Sequence, residues 1–380
     1  MKSKRVLILI PHLGVGGTEV QTLNLARALV LAGHQVSTLC LYRCIPQMVK
    51  AFKDAGSQVI CISPEYNRYD IPIKYPKRFA LFKFLYKVLR NAISKEKYDV
   101  IHVQYMTPMA TAILILRYLI GYRNLVVTSH TNADIYKSLS LLHFIERHTV
   151  RVFTCITQKA ELGFFESSRL FDEAMVLSSH NHFTIYNALP YNMPFSDRKR
   201  QSAPRVIGVV SRLEEIKGMD LVVPAFAEVQ AKHPEVKLVV VGDGTQKPLM
   251  QQQAKELHVE EAVTWAGRQP QERLHEWYGL MDIVLMPSRS EGFGLTAIEA
   301  MANGCVVVAS DTGGLPEVVK DGVVGLLHRP EDINDLATKI NRLVDDNRLY
   351  SQMQQALGDY VQQYSFSRYA ETIRSLYTKI

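Results

Sequence analysis

"DIVLMPSRSEGFGLTAIEAMANGCVVVAS" occupies residues 282–310. Its opening, "DIVLMPS" (282–288), holds an apolar strand that ends at Pro287. Glu291, Gly292, Phe293 and Gly294 make a turn, and a helical pattern runs from about Leu295 to Asn303 and closes at Gly304. "CVVVAS" (305–310) is again apolar throughout. Two strands apolar on both faces, joined through one helix, predict parallel neighbours in a sheet covered on both sides.

The same unit repeats outward in both directions. "RVIGVVSR" (205–212), "KLVVVGDG" (237–244) and "AVTWAG" (262–267) precede it as strands of one α/β series. An earlier series holds "RVLILI" (5–10), "QVSTLCL" (35–41), "QVICIS" (58–63), "YDVIHV" (98–103), "LVVTSH" (125–130) and "RVFTCIT" (151–157), with a helix over 19–33 ending at Gly33. Between the series, "NALPYNMPFSDRKRQSAPR" (187–205) has three prolines, a charge cluster and no period, which predicts an interdomain linker. The expected fold is α/β, with two Rossmann-like domains over 1–190 and 205–365 whose parallel sheets face each other across a cleft. A terminal helix over 366–380 is expected to pack back on the first domain. Ligands of such sheets bind beyond the carboxyl ends of the strands, so residues that follow strands carry the chemistry.

A length of 380 residues suits two such domains. With no run of 18 apolar residues, no spanning helix is expected, and the five-residue apolar run near the N-terminus reads as a strand rather than a signal peptide. Cys40, Cys44, Cys61, Cys155 and Cys305 are scattered and odd in number, with no zinc spacing, which favours a reduced, cytoplasmic protein. Charge is divided unevenly: residues 1–195 carry 23 Lys and Arg against 12 Asp and Glu, whereas residues 196–380 carry 21 against 25. The basic half is expected to face something anionic.

Glu291 and Glu299 bracket the glycine turn and the start of the helix. Gly294 permits close backbone approach, and the first helical N–H groups, at Leu295 and Thr296, favour an anion. At 1.5 Å per residue Glu299 lies roughly 7–8 Å farther along the axis. Carboxylate, anion site, carboxylate is also the order of hexose, diphosphate and ribose in a nucleotide sugar, and a hydrogen bond from a sugar hydroxyl to a charged acceptor is worth about 1.5–3 kcal/mol. The bland alternative is a surface helix with an acidic N-terminus. Arg212 and Lys217, in "GVVSRLEEIKG" (208–218), follow a strand, where two cations can neutralise a diphosphate.

These blocks, with "VGGTE" (15–19), "SH" (129–130), "VVVGDG" (239–244) and the glycine-rich continuation to Leu327, resemble the retaining glycosyltransferases of family 4, which have the GT-B fold. The resemblance implies that Arg212 and Lys217 bind the diphosphate and help it leave, that Glu291 contacts the donor hexose and that Glu299 holds the ribose. It further implies phosphate contacts from the amides of Gly294, Leu295 and Thr296, a base contact near Arg268, and close approach of the Gly16–Gly17 turn to the donor. His130 would touch the hexose near the reacting carbon, and Asn187 would lie in the same donor site. Thr131 departs from the Asp or Gly common after this histidine, and Cys305 from a common proline.

"GVGGTE" (14–19) lacks the third glycine of a dinucleotide fingerprint, since position 19 is Glu19. No D-x-D triplet occurs, so no metal and no other cofactor is expected. On a helix read over 77–97, Lys83, Lys87 and Arg90 share a face beside Phe79 and Phe82, which suits either a solvated core helix or peripheral contact with an anionic membrane. The function expected is transfer of a hexose, with retention, from a UDP- or GDP-linked donor to a hydroxyl of a lipid-linked glycan or polysaccharide precursor, with no nucleic-acid partner. The alternatives are a GT-B nucleotide-sugar epimerase and a catalytically silent nucleotide-binding subunit.

Overall fold

A computed structural model of the chain describes residues 2–62, 78–95, 97–105, 109–178, 181–191, 193–196 and 203–380. Ser63 of the third expected strand, residues 77 and 96 of the basic helix, and 192 and 197–202 of the expected linker lie outside them. Residues 1–190 and 366–380 form one compact unit and residues 191–365 a second.

The first unit holds β1 (Arg5–Leu13), α1 (Gly17–Leu31), β2 (Gln35–Cys44), α2 (Pro46–Asp54), β3 (Gln58–Cys61), α3 (Arg78–Lys95), β4 (Val100–Tyr105), α4 (Met109–Leu114), β5 (Leu125–Ser129), α5 (Ser140–His148), β6 (Val152–Cys155), α6 (Gln158–Phe165) and β7 (His182–Thr184). Its seven strands lie in the order β3-β2-β1-β4-β5-β6-β7, all parallel. Val6, Ile8 and Ile10 pack on one face, Leu7 and Leu9 on the other, so the run "VLILI" is apolar because both faces are covered. Each such aliphatic side chain contributes about 1.5–3 kcal/mol on full burial.

The second unit holds β8 (Val206–Val210), α7 (Met219–Lys232), β9 (Lys237–Val241), α8 (Lys247–Glu256), β10 (Val263–Gly267), α9 (Leu274–Tyr278), β11 (Ile283–Met286), α10 (Leu295–Ala302), β12 (Val306–Ser310), α11 (Leu315–Val318), β13 (Gly325–His328), α12 (Ile333–Asp345) and α13 (Asn347–Val361). Its parallel order is β10-β9-β8-β11-β12-β13. Asp282 sets the entry to its central pair: the carboxylate accepts from the amides of Arg205 and Val206 at 2.9 and 2.8 Å. Pro224, inside α7, has no N–H for the carbonyl of Asp220, and Gln253 Nε2 donates to that oxygen instead at 3.0 Å.

Helix α14 (Phe366–Lys379) belongs to the first unit, where Phe366, Ile373, Leu376 and Tyr377 join the core beneath α1.

Two expectations need correction. The break at 187–205 is not linker from its start. Asn187, Ala188 and Leu189 are buried, and Gln21 and Asn24 of α1 hold them: Gln21 accepts from the Ala188 amide at 3.0 Å, and Asn24 donates to the Leu189 carbonyl at 3.1 Å. The missing period reflects an extended strap bound by side chains rather than free chain. Nor are all five cysteines reduced, because Cys44 and Cys61 are disulfide-bonded at the ends of adjacent strands β2 and β3, while Cys40, Cys155 and Cys305 are buried thiols. Spacing along the sequence could not show that two strand ends meet.

Candidate active site

In the second sheet the chain steps outward from β8 to β10 and then returns to β11 beside β8. The loops leaving β8 and β11 are thus neighbours at the point where strand order reverses, the place where open α/β sheets hold ligands. The first loop carries Arg212 and a short 3-10 turn, Glu215–Lys217; the second carries Pro287–Gly294. They interlock. The Arg289 amide donates to the Ile216 carbonyl at 3.0 Å, and Gly218 (φ +66°) packs so close that a Cβ would overlap the Pro287 carbonyl oxygen.

This contact joins two residues that the sequence places 74 positions apart. Lys217 Nζ donates to Glu291 Oε2 at 2.6 Å, with both side chains largely buried. Sequence reasoning gave them separate ligand partners; the structure makes them partners of each other as well. The Glu291 carbonyl also accepts from the Gly314 amide at 3.0 Å, which fixes the turn from the side of α11.

Gly294 caps α10 at φ +106°, a conformation that would strain any residue with a Cβ, and its carbonyl accepts from the Ala297 amide at 2.9 Å. The amides of Leu295 and Thr296, in the first helical turn, have no acceptor within the helix. About one turn on, Glu299 is 6% exposed. It accepts a hydrogen bond from the Tyr278 hydroxyl at 3.0 Å, and burial raises its carboxyl to about 7 despite that bond. The two glutamates therefore differ: Glu291 is ion-paired, and Glu299 is desolvated, which favours its protonated form.

Arg212 and Arg268 are exposed, and no ion pair among the described residues includes either. Arg212 leaves β8 beside the Lys217 turn. Arg268 follows the edge strand β10, two strands away from β8.

The first unit has a polar group of another kind. His130 follows β5, and its Nε2 lies 2.6 Å from Gln104 Oε1 on β4. With that oxygen as acceptor, Nε2 carries the proton and Nδ1 is the free acceptor. Below it runs a buried row: the Tyr377 hydroxyl lies 2.9 Å from His102 Nδ1, His102 Nε2 lies 2.8 Å from Thr128 Oγ1, and Thr128 Oγ1 lies 2.7 Å from Thr154 Oγ1. Thr154 in turn donates to the Val127 carbonyl at 3.1 Å. One direction of donation, from Tyr377 towards Val127, satisfies every member with a neutral His102. Burial lowers His102 to about 3 and His130 to about 4, so both are neutral at pH 7. A small cavity touches Gln21, His102, Gln104, His130 and Asn187. Gly16, extended at φ −172°, caps α1, and Gly17 is its first residue, so the expected Gly16–Gly17 turn is a helix N-terminus.

Sequence reasoning missed Gln104, His102, Tyr278 and Arg289. Arg289 alone had a signal, lying in the quoted block two residues before Glu291. The others are singled out only by what folding sets beside them.

Known proteins bear on the identity of these blocks. The family model described as "Glycosyltransferase Family 4" matches residues 15–161, and "Glycosyl transferases group 1" matches residues 195–362. D-inositol 3-phosphate glycosyltransferase of Corynebacterium aurimucosum is 35% identical over 199 residues, 48% of this chain and 47% of that protein. The match thus spans about half the length of that relative. N-acetyl-alpha-D-glucosaminyl L-malate synthase of Bacillus anthracis is 26% identical over 350 residues, 89% of this chain and 87% of the other. Among solved structures, Anabaena HepE in complex with UDP and glucose superposes with a TM-score of 0.77 at 19% identity, over 99% of this chain and 100% of that one, a likeness of fold. The two family models together cover most of the chain, one in each unit, and with two Rossmann-like domains in the GT-B manner the chain belongs to the family 4 glycosyltransferases.

Proposed function

We propose that this protein is a retaining glycosyltransferase that moves a hexose from a UDP- or GDP-linked donor to the hydroxyl of an anionic acceptor. The observation that carries the reading is the Lys217–Glu291 pair beside the α10 N-terminus, with the buried Glu299 further along the same helix. A diphosphate arriving there gains Lys217, Arg212 and the amides of Leu295 and Thr296 as donors. Glu291 then accepts from hexose hydroxyls, and Glu299 from the ribose. Preorganised donors at a leaving group stabilise charge that grows only in the transition state.

In the reaction proposed, the bond from the anomeric carbon to the diphosphate oxygen breaks with both electrons going to that oxygen. An acceptor hydroxyl forms the new bond from the same face, and its proton passes to the departing phosphate oxygen. His130 is assigned to hexose recognition through Nδ1, and Asn187, Gly16 and Arg268 to donor contacts. Neutral imidazole suits an uncharged sugar. Arg212 and Lys217 take the role that a metal has in other transferases, so turnover is expected to persist in EDTA, and its loss with recovery on adding magnesium would refute this part.

For the acceptor, the basic first half favours an anion. A lipid-linked glycan of a surface polysaccharide is the first candidate, because Lys83, Lys87 and Arg90 of α3 are exposed beside exposed Phe79 and Phe82, as suits a protein at the inner face of a membrane. A small anionic hydroxyl compound is the second, because the similar proteins are named for inositol phosphate and malate. A thermal-shift panel of UDP- and GDP-sugars identifies the donor. Incubating that donor, labelled, with extracted lipids in one arm and inositol phosphate or malate in another identifies the acceptor, and NMR of the product gives the anomer. An inverted product, or no donor-dependent shift, would overturn the reading.

A further inference from the structure

Arg289 looks at first like a third cation for the diphosphate, since it lies between Pro287 and Glu291. Its hydrogen bonds say otherwise. Nη1 and Nη2 donate to Asp220 Oδ1 and Oδ2 at 2.7 and 2.8 Å. Nε and Nη2 donate to Glu331 Oε1 and Oε2 at 2.7 and 3.1 Å. Nη1 also donates to the Glu215 carbonyl at 2.5 Å. A guanidinium has five N–H groups, and all five are engaged. None is left for a ligand.

What those bonds join is the informative part. Glu215 begins the turn that carries Lys217, Asp220 lies in the first turn of α7 directly after it, and Glu331 sits in the loop between β13 and α12. The Arg289 amide adds its bond to the Ile216 carbonyl, and its own carbonyl accepts from Thr312 Oγ1 at 3.3 Å. Glu331 adopts φ +64°, a left-handed conformation unfavourable for a glutamate, so the surrounding contacts hold it against its preference. The Asp220 backbone is tied separately through Gln253. The side chain that organises the Lys217 turn is thus braced at both of its carboxylate ends.

We propose that Arg289 is a positioning residue for the transfer reaction: it touches no substrate, and it fixes the Glu215–Lys217 turn so that Lys217 meets the diphosphate oxygen as that oxygen gains charge. The inference rests on the transfer reading above. Lysine is no substitute, because one ammonium cannot span two carboxylates and a carbonyl in fixed planar geometry.

The test is a double-mutant cycle on the full chain, with turnover, donor KM, UDP affinity and melting temperature measured for each variant. Arg289→Lys is expected to lower kcat roughly 30-fold or more with donor KM changed less than about threefold, the pattern of a contact that strengthens mainly in the transition state. In the Lys217→Ala background the same change should add less than about threefold, because a residue acting through Lys217 has nothing left to position. Glu331→Gln alters an exposed carboxylate and leaves the core untouched; a kcat loss of roughly three- to tenfold, again absent without Lys217, is expected. Losses that multiply with Lys217→Ala, or that follow melting temperature alone, would overturn the positioning role while leaving the transfer reading in place. A wild-type protein without donor turnover, whose UDP affinity ignores Lys217→Ala, would overturn both.

Discussion

The polar groups of the two candidate-site regions, one in each unit, differ in kind. In the second unit they are ionic: Lys217 with Glu291, and Arg289 with Asp220 and Glu331. In the first they are neutral: Gln104 with His130, and His102 linking Tyr377 to two threonines. Burial explains the division. Where a pair keeps some contact with water, opposite charges stabilise each other; where the row lies beneath α14, the His102 imidazole sheds its proton and only hydrogen-bond direction remains. The contrast fits the parts proposed for Lys217 and His130, a cation for the charged diphosphate and a neutral ring for an uncharged sugar hydroxyl.

The sharpest way to break that contrast is Lys217→Ala. It removes half of an ion pair and, on the proposed reading, the main counter-charge of the leaving group. Turnover should fall about 10²–10³-fold with the melting temperature little changed. Arg212→Ala should act in the same direction. Near-normal rates in both, measured with a labelled donor, would make the ionic group structural.

Glu299 sharpens the comparison from the side of pH. Its carboxyl is raised to about 7 from an ordinary 4.5, so the folded state holds a proton that the unfolded state has released. Its contribution to stability is present below about pH 4.5 and is lost as pH rises to about 7. His102 and His130 have the opposite sign: lowered to about 3 and about 4, they favour folding above pH 6.5 and lose that contribution as pH falls through those values. Glu299→Gln keeps an acceptor for Tyr278 and removes the charge. The variant should gain on the wild type between pH 5 and 7 by at most about 3 kcal/mol, then hold that gain, while losing affinity for the nucleoside. Both tryptophans, Trp265 and Trp277, lie in the second unit, so fluorescence-monitored denaturation reads this difference where it arises. A pH-independent difference would mean that Glu299 is charged throughout.

His130→Ala should cost about 10–100-fold in turnover. Since the ring is neutral down to about pH 4, the pH–rate profile of the wild type should show no histidine step near 6.5. Such a step, lost in the variant, would put a charge where the neutral row is described. The smallest effect is expected at α3. Replacing Lys83, Lys87 and Arg90 by Ala should weaken binding to anionic vesicles by about 1 kcal/mol per residue at low salt, and equal binding by the triple variant would remove membrane contact from the reading.

How much of this could be read beforehand follows from locality. Strand 283–286, the glycine turn and α10 are encoded by residues within one short window, and periodicity with turn chemistry placed them correctly. Glu291 and Lys217 were each singled out by position after a strand, but their ion pair could not be read, because 74 residues separate them. Gln104 and His102 look like ordinary polar residues within an apolar run, and Tyr278 like any helical tyrosine; only burial beside a particular partner sets them apart. The strap at 187–190 misled for the same reason, since its hydrogen bonds come from α1, more than 160 residues earlier.

The position of α14 has a consequence for how the protein is made. Residues 191–365 are contiguous and can complete their sheet as soon as they leave the ribosome. The earlier unit has its seven strands by then but not their full cover, because Ile373, Leu376 and Tyr377 pack on a face that otherwise stays wet, and they are translated after the whole of its successor. The portion synthesised first is therefore the one finished last, and during that interval its unsealed apolar side is where a chaperone would find a hold.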